Sequence, residues 1–571
     1  MTTNGKSGTF PFQNLIQKCA AVQRSKRLWL WCLAAALVPV VLLCLFATPY
    51  YGTVDDYSNT LYANGAYSDS PGFLMQYTYV FVSAPLCALY RVLPAVPWYP
   101  LYLLLTVAVS FAILYAVSAR LPICGRLRAI FFALLILSEI ITILYLTYTI
   151  VAFLSTAAGL SLLFFRCGFQ KPGKFALPEV AAFLAALNGL CLRMESAISV
   201  LAIFFPFFIW VLVKNRNRRT ILRLASLLVA LFVATGVGRA AYDHADGWEG
   251  WNAYLDTGRA VVDHPPVDYE TIRAAKIDLS ENDINLLYRW TFADKGTFTL
   301  EKFSQISSAQ PLSDRYSLQN ARSSGNKKLL TVLLGSLVLL FLLFAAATSL
   351  PRGKKILMLC VVALSCLSFG YLLLRGRVVL HAVLPLWMAT VSACFVCCAG
   401  QAQIALRGRL RKALLPAFAF LFCAAGCISF GVMNQKRCAE FAEQNAKVVQ
   451  PVLSYYAAHE EAPVSTPSFL NSLYAGNIFA PCDTPKNAIR LGGGMPYTGP
   501  YRDFCEKNGL DADSLLRQLA TKDKFTAILN PETAAMVQVY LEEHLHKPIE
   551  MTVLDTVGDS GLSAYQYRAQ S

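Results

Sequence analysis

Charged residues are scarce in this sequence of 571 amino acids, because Asp, Glu, Lys and Arg make up only 15% of it and hydrophobic residues 56%. A soluble domain of that composition would expose large apolar patches to water, so an ordinary soluble fold is excluded. Apolar runs of about 20 residues, long enough to cross a bilayer as a helix, recur along the chain. The composition therefore predicts a mainly α-helical polytopic membrane protein.

A disulfide framework and a zinc site are both missing, although the chain has 17 cysteines. Most of these cysteines lie inside apolar runs, where cysteine behaves as a small hydrophobe. Cys394, Cys397 and Cys398 have metal-like spacing. No histidine or second cysteine pair accompanies them in that run, so we predict that they pack rather than bind zinc. Three cysteines lie in the polar tail, enough for one disulfide and one free thiol: Cys438, Cys482 and Cys505.

Basic residues are absent from segment 49–73, and acidic residues outnumber them in the long segments 242–325 and 433–571. The net charge of +15 comes from short loops between apolar runs. Such loops face the cytoplasm in membrane proteins, so the basic charge needs no nucleic acid to explain it and that partner is excluded. This pattern predicts a multi-pass plasma-membrane protein with a cytoplasmic N-terminal segment, 1–28, and an extracytoplasmic C-terminal domain.

Eleven apolar runs alternate across the membrane in this orientation and form a body over 29–432. No small-residue cleavage site follows the first run, so we predict a retained helix. The runs are 29–48, 98–118, 128–145, 147–165, 177–191, 195–213, 221–241, 329–349, 356–374, 378–399 and 412–432.

One further apolar segment, 74–93, breaks the charge pattern if it crosses the bilayer. It contains Pro85 and is rich in tyrosine and phenylalanine. We therefore predict a helix that lies along the outer interface, inside the outer loop 49–97. The alternative is a true span, with another apolar run divided differently.

The tail, 433–571, begins as an amphipathic helix and continues with a mixed pattern. Short apolar runs of strand character alternate with helical stretches at 501–519 and 532–545. This order predicts a small extracytoplasmic α/β domain.

Two adjacent carboxylates, Asp55 and Asp56, directly follow the first apolar run and have no basic partner in their loop. Such a pair can serve as a general base or bind a divalent cation, Mg or Mn. Acids at a membrane boundary are more often functional than acids on an ordinary surface. The alternative is that they form only the polar end of a helix.

Two other groups of charged residues lie at predicted outer ends of helices. Arg193 and Glu195 occupy a turn with almost no room outside the membrane, so they line a watery cavity or close a hairpin as an ion pair. Arg375 and Arg377 are basic residues on the acidic side, where guanidinium groups suit a phosphate or pyrophosphate. Snorkelling to lipid headgroups is the alternative. We expect His381 to be a packed polar residue.

The loop 242–325 mixes aromatic side chains with hydrogen-bonding groups, a combination that often holds sugars. Packing over the membrane body is the alternative for most of these residues, which are Trp251, Tyr254, Arg259, Asp263, Tyr288, Trp290 and Asp294. Two tail patterns predict no site. His544 and His546 are expected on the surface of a helix end, and the glycines at 492–494 are expected to form a turn.

This layout resembles the GT-C class of polytopic glycosyltransferases, and more narrowly its bacterial members with a C-terminal extracytoplasmic domain. The resemblance covers nearly the whole chain. It rests on short motifs: the acidic pair followed by Tyr57, the interfacial helix, Trp98-Tyr99, Leu192-Arg193-Met194-Glu195, Arg375-Gly376-Arg377, and the stretch from Gly493-Gly494 to Pro500-Tyr501.

The resemblance implies transfer of a sugar from a polyprenyl-phosphate donor to a cell-envelope glycan or glycopolymer on the outer face. Asp55 or Asp56 would be the catalytic base or a metal ligand, and this sequence has Asp-Asp where some class members have Asp-Glu or a spaced pair. The predicted donor-phosphate contacts are Arg375, Arg377 and Arg193, and the predicted supporting residues are Glu195, Tyr57, Arg259 and His381. We predict an inverting transfer.

Two other functions remain open. A transporter or flippase of lipid-linked sugars usually shows repeat symmetry and polar residues at mid-bilayer, whereas here the charges cluster at span ends and no repeat is evident. A non-catalytic scaffold for envelope assembly would tolerate the loss of both acids.

Overall fold

The computed structural model describes residues 27–68, 72–169, 176–214, 217–325, 327–347, 350–400, 409–466, 477–492 and 494–570. The predicted N-terminal segment 1–28 therefore lies almost entirely outside the described residues, as does Gly493. The fold class is confirmed, because the described chain is mostly helical and carries a small sheet near its C-terminus.

Nine helices in the described ranges are long and apolar enough to cross a membrane. All eleven predicted runs are helical in the described residues. The two that are not among these nine are Leu177–Leu192 and Lys327–Ala347. The eleven helices are Leu28–Phe46, Trp98–Arg120, Gly125–Leu144, Tyr148–Phe169, Leu177–Leu192, Met194–Lys214, Arg218–Asp243, Lys327–Ala347, Arg352–Leu374, Leu380–Cys397 and Arg409–Gln444.

The helix Tyr148–Phe169 is the buried centre of this bundle. Two glycines let Leu177–Leu192 approach it closely. A Cβ on Gly159 would lie 2.5 Å from the carbonyl oxygen of Ala182, and one on Gly189 would lie 2.5 Å from that of Ala152. Close backbone approach at small residues is a common way for helices to associate in a membrane. It fixes the first half of the central helix, around residues 152–159, against Leu177–Leu192.

The segment predicted as an interfacial helix is helical only over Val80–Val92. At about 20 Å, a helix of 13 residues is too short to cross the roughly 30 Å hydrocarbon core. The part before it, which we expected to be helical, is a tight turn bridged between Met75 and Thr78. Tyr77 there has a φ of +63°, which no right-handed helix accommodates.

The segments between the membrane helices and in the tail contain shorter elements. The helical ones are Val54–Asn64, Trp251–Ala253, Tyr254–Gly258 (π), Arg259–Val262, Tyr269–Ala274, Glu281–Tyr288, Leu300–Ala309, Leu312–Arg315, Leu318–Ser323, Asn445–Val449 (π), Gln450–Ala458, Met495–Tyr497 (3₁₀), Gly499–Lys507, Leu515–Thr521 and Pro531–Leu545. The strands are β1 (Tyr50–Tyr51), β2 (Tyr145–Leu146), β3 (Val464–Thr466), β4 (Ala488–Arg490), β5 (Thr526–Leu529), β6 (Ile549–Thr556) and β7 (Ser563–Ala569).

The tail strands form one five-stranded sheet in the order β4-β3-β5-β7-β6. Strand β3 is parallel to β4 and β5, and β7 is antiparallel to β5 and β6. The last membrane helix runs without a break past residue 432, where we predicted the tail to begin, and continues into Gln450–Ala458. No disulfide forms in the described tail, because Cys438, Cys482 and Cys505 are all free thiols.

The tail packs directly on segment 242–325. We call the face of the helical body on which these two segments lie the domain face. Backbone hydrogen bonds cross the interface from Ala293 to Leu491 (2.9 Å) and from Lys295 to Asp513 (2.8 Å). Between them the buried carboxylate of Asp294 accepts bonds from Arg517 Nε and from the Tyr540 hydroxyl, each at 2.7 Å. The tail is therefore a fixed part of this face.

Replacing Asp294 by alanine should lower the free energy of unfolding by about 3 kcal/mol, because it leaves Arg517 and Tyr540 without their shared acceptor. The measurement is thermal unfolding of the purified protein in detergent. Glu270→Ala is the control, since its ion pair with Arg273 is exposed and should contribute less than about 1 kcal/mol. Equal effects of the two changes would contradict the predicted interface.

Candidate functional site

The acidic pair lies in the first turn of the helix Val54–Asn64, on the domain face. Strand β1 positions this turn by pairing with β2 at the start of the central membrane helix. The backbone N–H of Gly52 donates to the carbonyl of Leu146 at 2.8 Å and extends that pairing. Negative charge is favourable at a helix N-terminus, so the helix itself stabilises both carboxylates.

Asp56 is completely buried, and its carboxylate is used by the protein itself. Oδ1 accepts bonds from the Tyr99 hydroxyl at 2.9 Å and from the backbone N–H of Tyr148 at 2.8 Å. Oδ2 accepts from the Thr53 hydroxyl at 2.6 Å. Burial raises the pKa of Asp56 to about 7, although these donors act to lower it. Protein donors therefore occupy both oxygens of the Asp56 carboxylate, which has no contact with water.

Asp55 is only partly buried and meets a different set of groups. Its Oδ2 accepts a bond from the Tyr148 hydroxyl at 3.1 Å. The same hydroxyl accepts a bond from Arg193 Nη1 at 2.7 Å, and Nη1 also lies 2.7 Å from the Thr149 hydroxyl. Tyr148 thus binds Asp56 through its backbone, and Asp55 and Arg193 through its hydroxyl. This one residue joins the two acids to a guanidinium group.

From Arg193 a chain of alternating charges crosses the domain face. Arg193 Nε lies 3.8 Å from Glu195, and Glu195 lies 3.1 Å from Arg259 Nη1. Arg259 also pairs with Asp263 at 3.2 Å, and Asp263 pairs with Arg377 at 2.6 Å. Burial would raise the pKa of Asp263, but the charges of Arg377 and Arg259 hold it below its usual value. Asp263 is therefore negatively charged near neutral pH.

Tyr77 lies between two of the arginines of this chain, Arg193 and Arg259. Its ring centre is 5.7 Å from the guanidinium carbon of Arg193 and 4.9 Å from that of Arg259, within the range of cation–π contacts. The positive φ of Tyr77 falls at the third position of its turn, which favours glycine. The Tyr242 hydroxyl holds the turn by donating to the carbonyls of Met75 and Thr78 at 2.7 and 2.8 Å.

We define the outer cluster as Asp55, Asp56, Tyr77, Tyr148, Arg193, Glu195, Arg259, Asp263 and Arg377. The structure therefore brings together six of the nine residues predicted for the site: Asp55, Asp56, Arg193, Glu195, Arg259 and Arg377. Their joint role in catalysis stays a prediction, since the structure fixes only their positions.

The other three predicted residues lie at the edge of the outer cluster or outside it. Arg375 Nη1 bonds the Tyr371 hydroxyl at 3.1 Å rather than a carboxylate. His381 is partly buried in the first turn of Leu380–Cys397, the helix that follows Arg377. The Tyr57 hydroxyl points toward the tail, where it donates to the carbonyl of Asp483 at 2.9 Å.

Sequence reasoning missed Tyr77 and Tyr148, the aromatic residues that connect the charges. Tyrosines at helix ends are common in membrane proteins because they suit the headgroup region. Nothing in the sequence separates Tyr148 from such interfacial residues. Its importance depends on the pairing of β1 with β2, which joins segments about 90 residues apart.

The outer cluster does not fit the divalent cation, Mg or Mn, that the sequence allowed at Asp55 and Asp56 as an alternative to a general base. Hydrogen-bond donors of the protein already occupy both oxygens of Asp56. Asp55 alone remains as a ligand, and its neighbour Tyr148 is bonded to the positive charge of Arg193, which would repel a cation. We derive no step that requires a metal here.

Three possible metal ligands do meet elsewhere in the described residues, namely Asp283, Glu543 and His544. His544 Nε2 lies 2.9 Å from Asp283 Oδ1, and Ser280 bonds to both Asp283 and Glu543. These contacts close the interface between segment 242–325 and the tail. His544 is thus paired, whereas we expected it to be an ordinary surface residue.

No protein-family model matches the sequence, and no curated protein matches it. Among solved structures, the chain is similar to the crystal structure of ArnT from Cupriavidus metallidurans bound to undecaprenyl phosphate. The sequence identity is 12% and the TM-score 0.40, over 96% of this chain and 99% of that chain. Values this low assign neither a fold nor a function.

The raised pKa of Asp56 has a consequence for stability. The folded protein keeps a proton on Asp56 that the unfolded chain releases near pH 3.8. This contribution to the free energy of unfolding is therefore complete below pH 3.8 and is lost as the pH rises through about 7. Asp56→Asn cannot titrate, so its unfolding midpoint should fall less steeply than that of the unchanged protein over this range.

Thermal unfolding in detergent at several pH values measures this difference. Glu301→Gln, an exposed acid in segment 242–325, is the control and should keep the original slope. An identical pH dependence for Asp56→Asn and the unchanged protein would contradict a buried, protonated Asp56.

Proposed function

We propose that the protein is a membrane glycosyltransferase that moves a sugar from a polyprenyl-phosphate donor to a cell-envelope glycan on the outer face of the membrane. The observation that carries this proposal is the connection of Asp55 through the Tyr148 hydroxyl to Arg193. It puts a carboxylate and a guanidinium group on the same face, at the ends of membrane helices. A lipid-linked donor presents its phosphate at that depth.

Asp55 is the catalytic base in this proposal. It is partly exposed, and among the described residues only Tyr148 donates to it, through Oδ2. Oδ1 is therefore available to accept a proton from an acceptor hydroxyl. Asp56 cannot do this in the present arrangement because it is buried and all of its acceptor capacity faces protein donors. Asp56 positions Asp55 by fixing the backbone of Tyr148.

The arginines supply the charge that a leaving phosphate needs. Arg193, Arg259, Arg375 and Arg377 provide four positive charges on this face. Apart from the buried Asp56, the carboxylates nearest to them are Asp55, Glu195 and Asp263. The positive charges on this face therefore outnumber these carboxylates by one, which favours binding of a further anion. Guanidinium groups bind phosphate oxygens with two parallel hydrogen bonds, and Arg377 is the best placed because a third of its side chain is exposed.

The proposed reaction is a single displacement. The acceptor oxygen attacks the anomeric carbon while its proton passes to Asp55. The bond from that carbon to the phosphate oxygen breaks, and its electron pair leaves with the lipid phosphate. The arginines stabilise the negative charge that develops on this oxygen, an effect that is large in a site shielded from water. Attack from the side opposite the leaving group inverts the anomeric centre.

A transporter or flippase of lipid-linked sugars is a second candidate, and one observation favours it. Glu139 is completely buried inside the membrane helix Gly125–Leu144, where it accepts a bond from the Tyr115 hydroxyl at 2.6 Å. Acids inside a bilayer often mark an ion or proton path. The sequence pattern gave no weight to this residue because it lies alone in an apolar run.

The Asp55→Asn variant should lose at least about 100-fold of the transfer rate, the usual contribution of a general base, with normal expression. The measurement is mass spectrometry of cell-envelope glycans in cells that carry the unchanged gene, the variant or no gene. Loss of one sugar in the cells without the gene identifies the product.

Asp278→Asn is the matched control, since Asp278 is an exposed acid of segment 242–325 outside the outer cluster. Full activity of Asp55→Asn would exclude the proposed base. Loss of activity in Glu139→Gln, with normal expression, would then favour the transporter, and full activity of both variants would favour the scaffold.

A further inference from the structure

One buried positive charge lies outside the outer cluster, on the edge strand β4 of the tail sheet. Arg490 is only 5% exposed. Its Nη1 approaches the sulfur of Met495 at 4.0 Å, a weak contact, and no described carboxylate forms an ion pair with it. A buried charge without a partner is strongly unfavourable, so such groups are normally paired or bind a ligand.

The comparison with Arg223 shows how unusual this is. Arg223 and Arg490 are the two buried arginines of the described residues, with exposures of 7% and 5%. Arg223 lies 3.6 Å from the buried carboxylate of Glu179. Among the residues that the structure describes, an acid therefore faces one of these guanidinium groups and none faces the other.

The surroundings of Arg490 are aromatic and contain a second group without a partner. The ring centre of Tyr67 lies 5.6 Å from the guanidinium carbon. The Tyr67 hydroxyl is buried and makes no hydrogen bond with the described residues. Neighbouring hydroxyls are used, since that of Tyr501 donates to the Arg490 carbonyl and that of Tyr62 bonds Thr498. Arg490 and Tyr67 therefore offer unused donors in one place.

We propose that Arg490 and Tyr67 form a binding subsite for an oxyanion, a carboxylate or a phosphate. A guanidinium group donates two parallel bonds to either group, and the tyrosine hydroxyl adds a third. The aromatic rings around them exclude water, which strengthens these bonds. An anion here supplies the negative charge that the described residues around Arg490 do not provide.

The position of the subsite connects it with the outer cluster. Tyr62, whose ring centre is 5.1 Å from that of Tyr67, belongs to the helix that carries Asp55. Seven residues separate Tyr62 from Asp55, which is about 10 Å along the helix.

This spacing suggests which molecule carries the anion. The identity of the molecule rests on the proposed function. The acceptor is then an acidic glycan whose charged group binds Arg490 while its hydroxyl reaches Asp55. The subsite then selects the acceptor, and the outer cluster selects the donor. The anion subsite itself does not depend on the transfer activity.

Anion binding to the purified full-length protein in detergent tests this inference. Inorganic phosphate and glucuronate are each titrated while the unfolding temperature is measured. All variants carry Arg377→Gln, so that phosphate bound at the outer cluster does not contribute. We expect at least one of the two anions to raise the unfolding temperature, and the one that does so identifies the anionic group.

Two substitutions locate the binding. Arg490→Gln should abolish the shift. Tyr67→Phe should weaken binding about tenfold, the effect of one hydrogen bond to a charged group, without lowering stability in the absence of anion. Arg502→Gln removes the same charge from an exposed position in the tail and should bind as before.

Other results would overturn the inference. These are the absence of a shift with both anions, a shift that survives Arg490→Gln, or equal binding by the Tyr67→Phe variant. Asp55→Asn, made in the protein that keeps Arg377, separates this proposal from the proposed function, because it should stop transfer and leave the anion binding that depends on Arg490 unchanged. If anions bind and the Asp55→Asn variant still transfers sugar, the anion subsite stands and the proposed glycosyltransferase mechanism is wrong.

Discussion

The arrangement of the domain face depends on the contacts of Tyr148. Its backbone N–H binds the buried Asp56, and its hydroxyl lies between the carboxylate of Asp55 and the guanidinium group of Arg193. Because Tyr148 is the first residue of the most buried membrane helix, these contacts link the acidic loop to the centre of the bundle. The helix turn that carries the two acids is thereby fixed relative to arginines from other segments.

The rest of the domain face reinforces this arrangement. Tyr77 is held at a positive φ between Arg193 and Arg259, a conformation that costs about 1 kcal/mol or more and persists because Tyr242 holds its turn. The tail adds further support through the buried carboxylate of Asp294. Strained and fully bonded elements around partly exposed charges are typical of a site that must hold its geometry.

Much of this could be predicted from the sequence. Hydrophobic runs identified every membrane helix of the body, because helix length is set by the bilayer. The charges of Arg193 and Arg377 stood out because charged residues are costly at a membrane boundary. Arg259 stood out only as one of the polar residues mixed with aromatics in loop 242–325. The roles of Tyr77 and Tyr148 could not be predicted, since their neighbours come from distant segments. Arg490 also gave no signal, because the lack of a partner is visible only in three dimensions.

A double-mutant cycle between Asp55 and Tyr148 tests the central claim most directly, namely that Tyr148 acts through Asp55. Tyr148→Phe is made in the unchanged protein and in Asp55→Asn, and residual transfer is measured together with the unfolding temperature. If the two residues work as a unit, Tyr148→Phe lowers transfer in the unchanged protein and has no further effect once Asp55 is gone. The same fold-loss in both backgrounds would contradict the account.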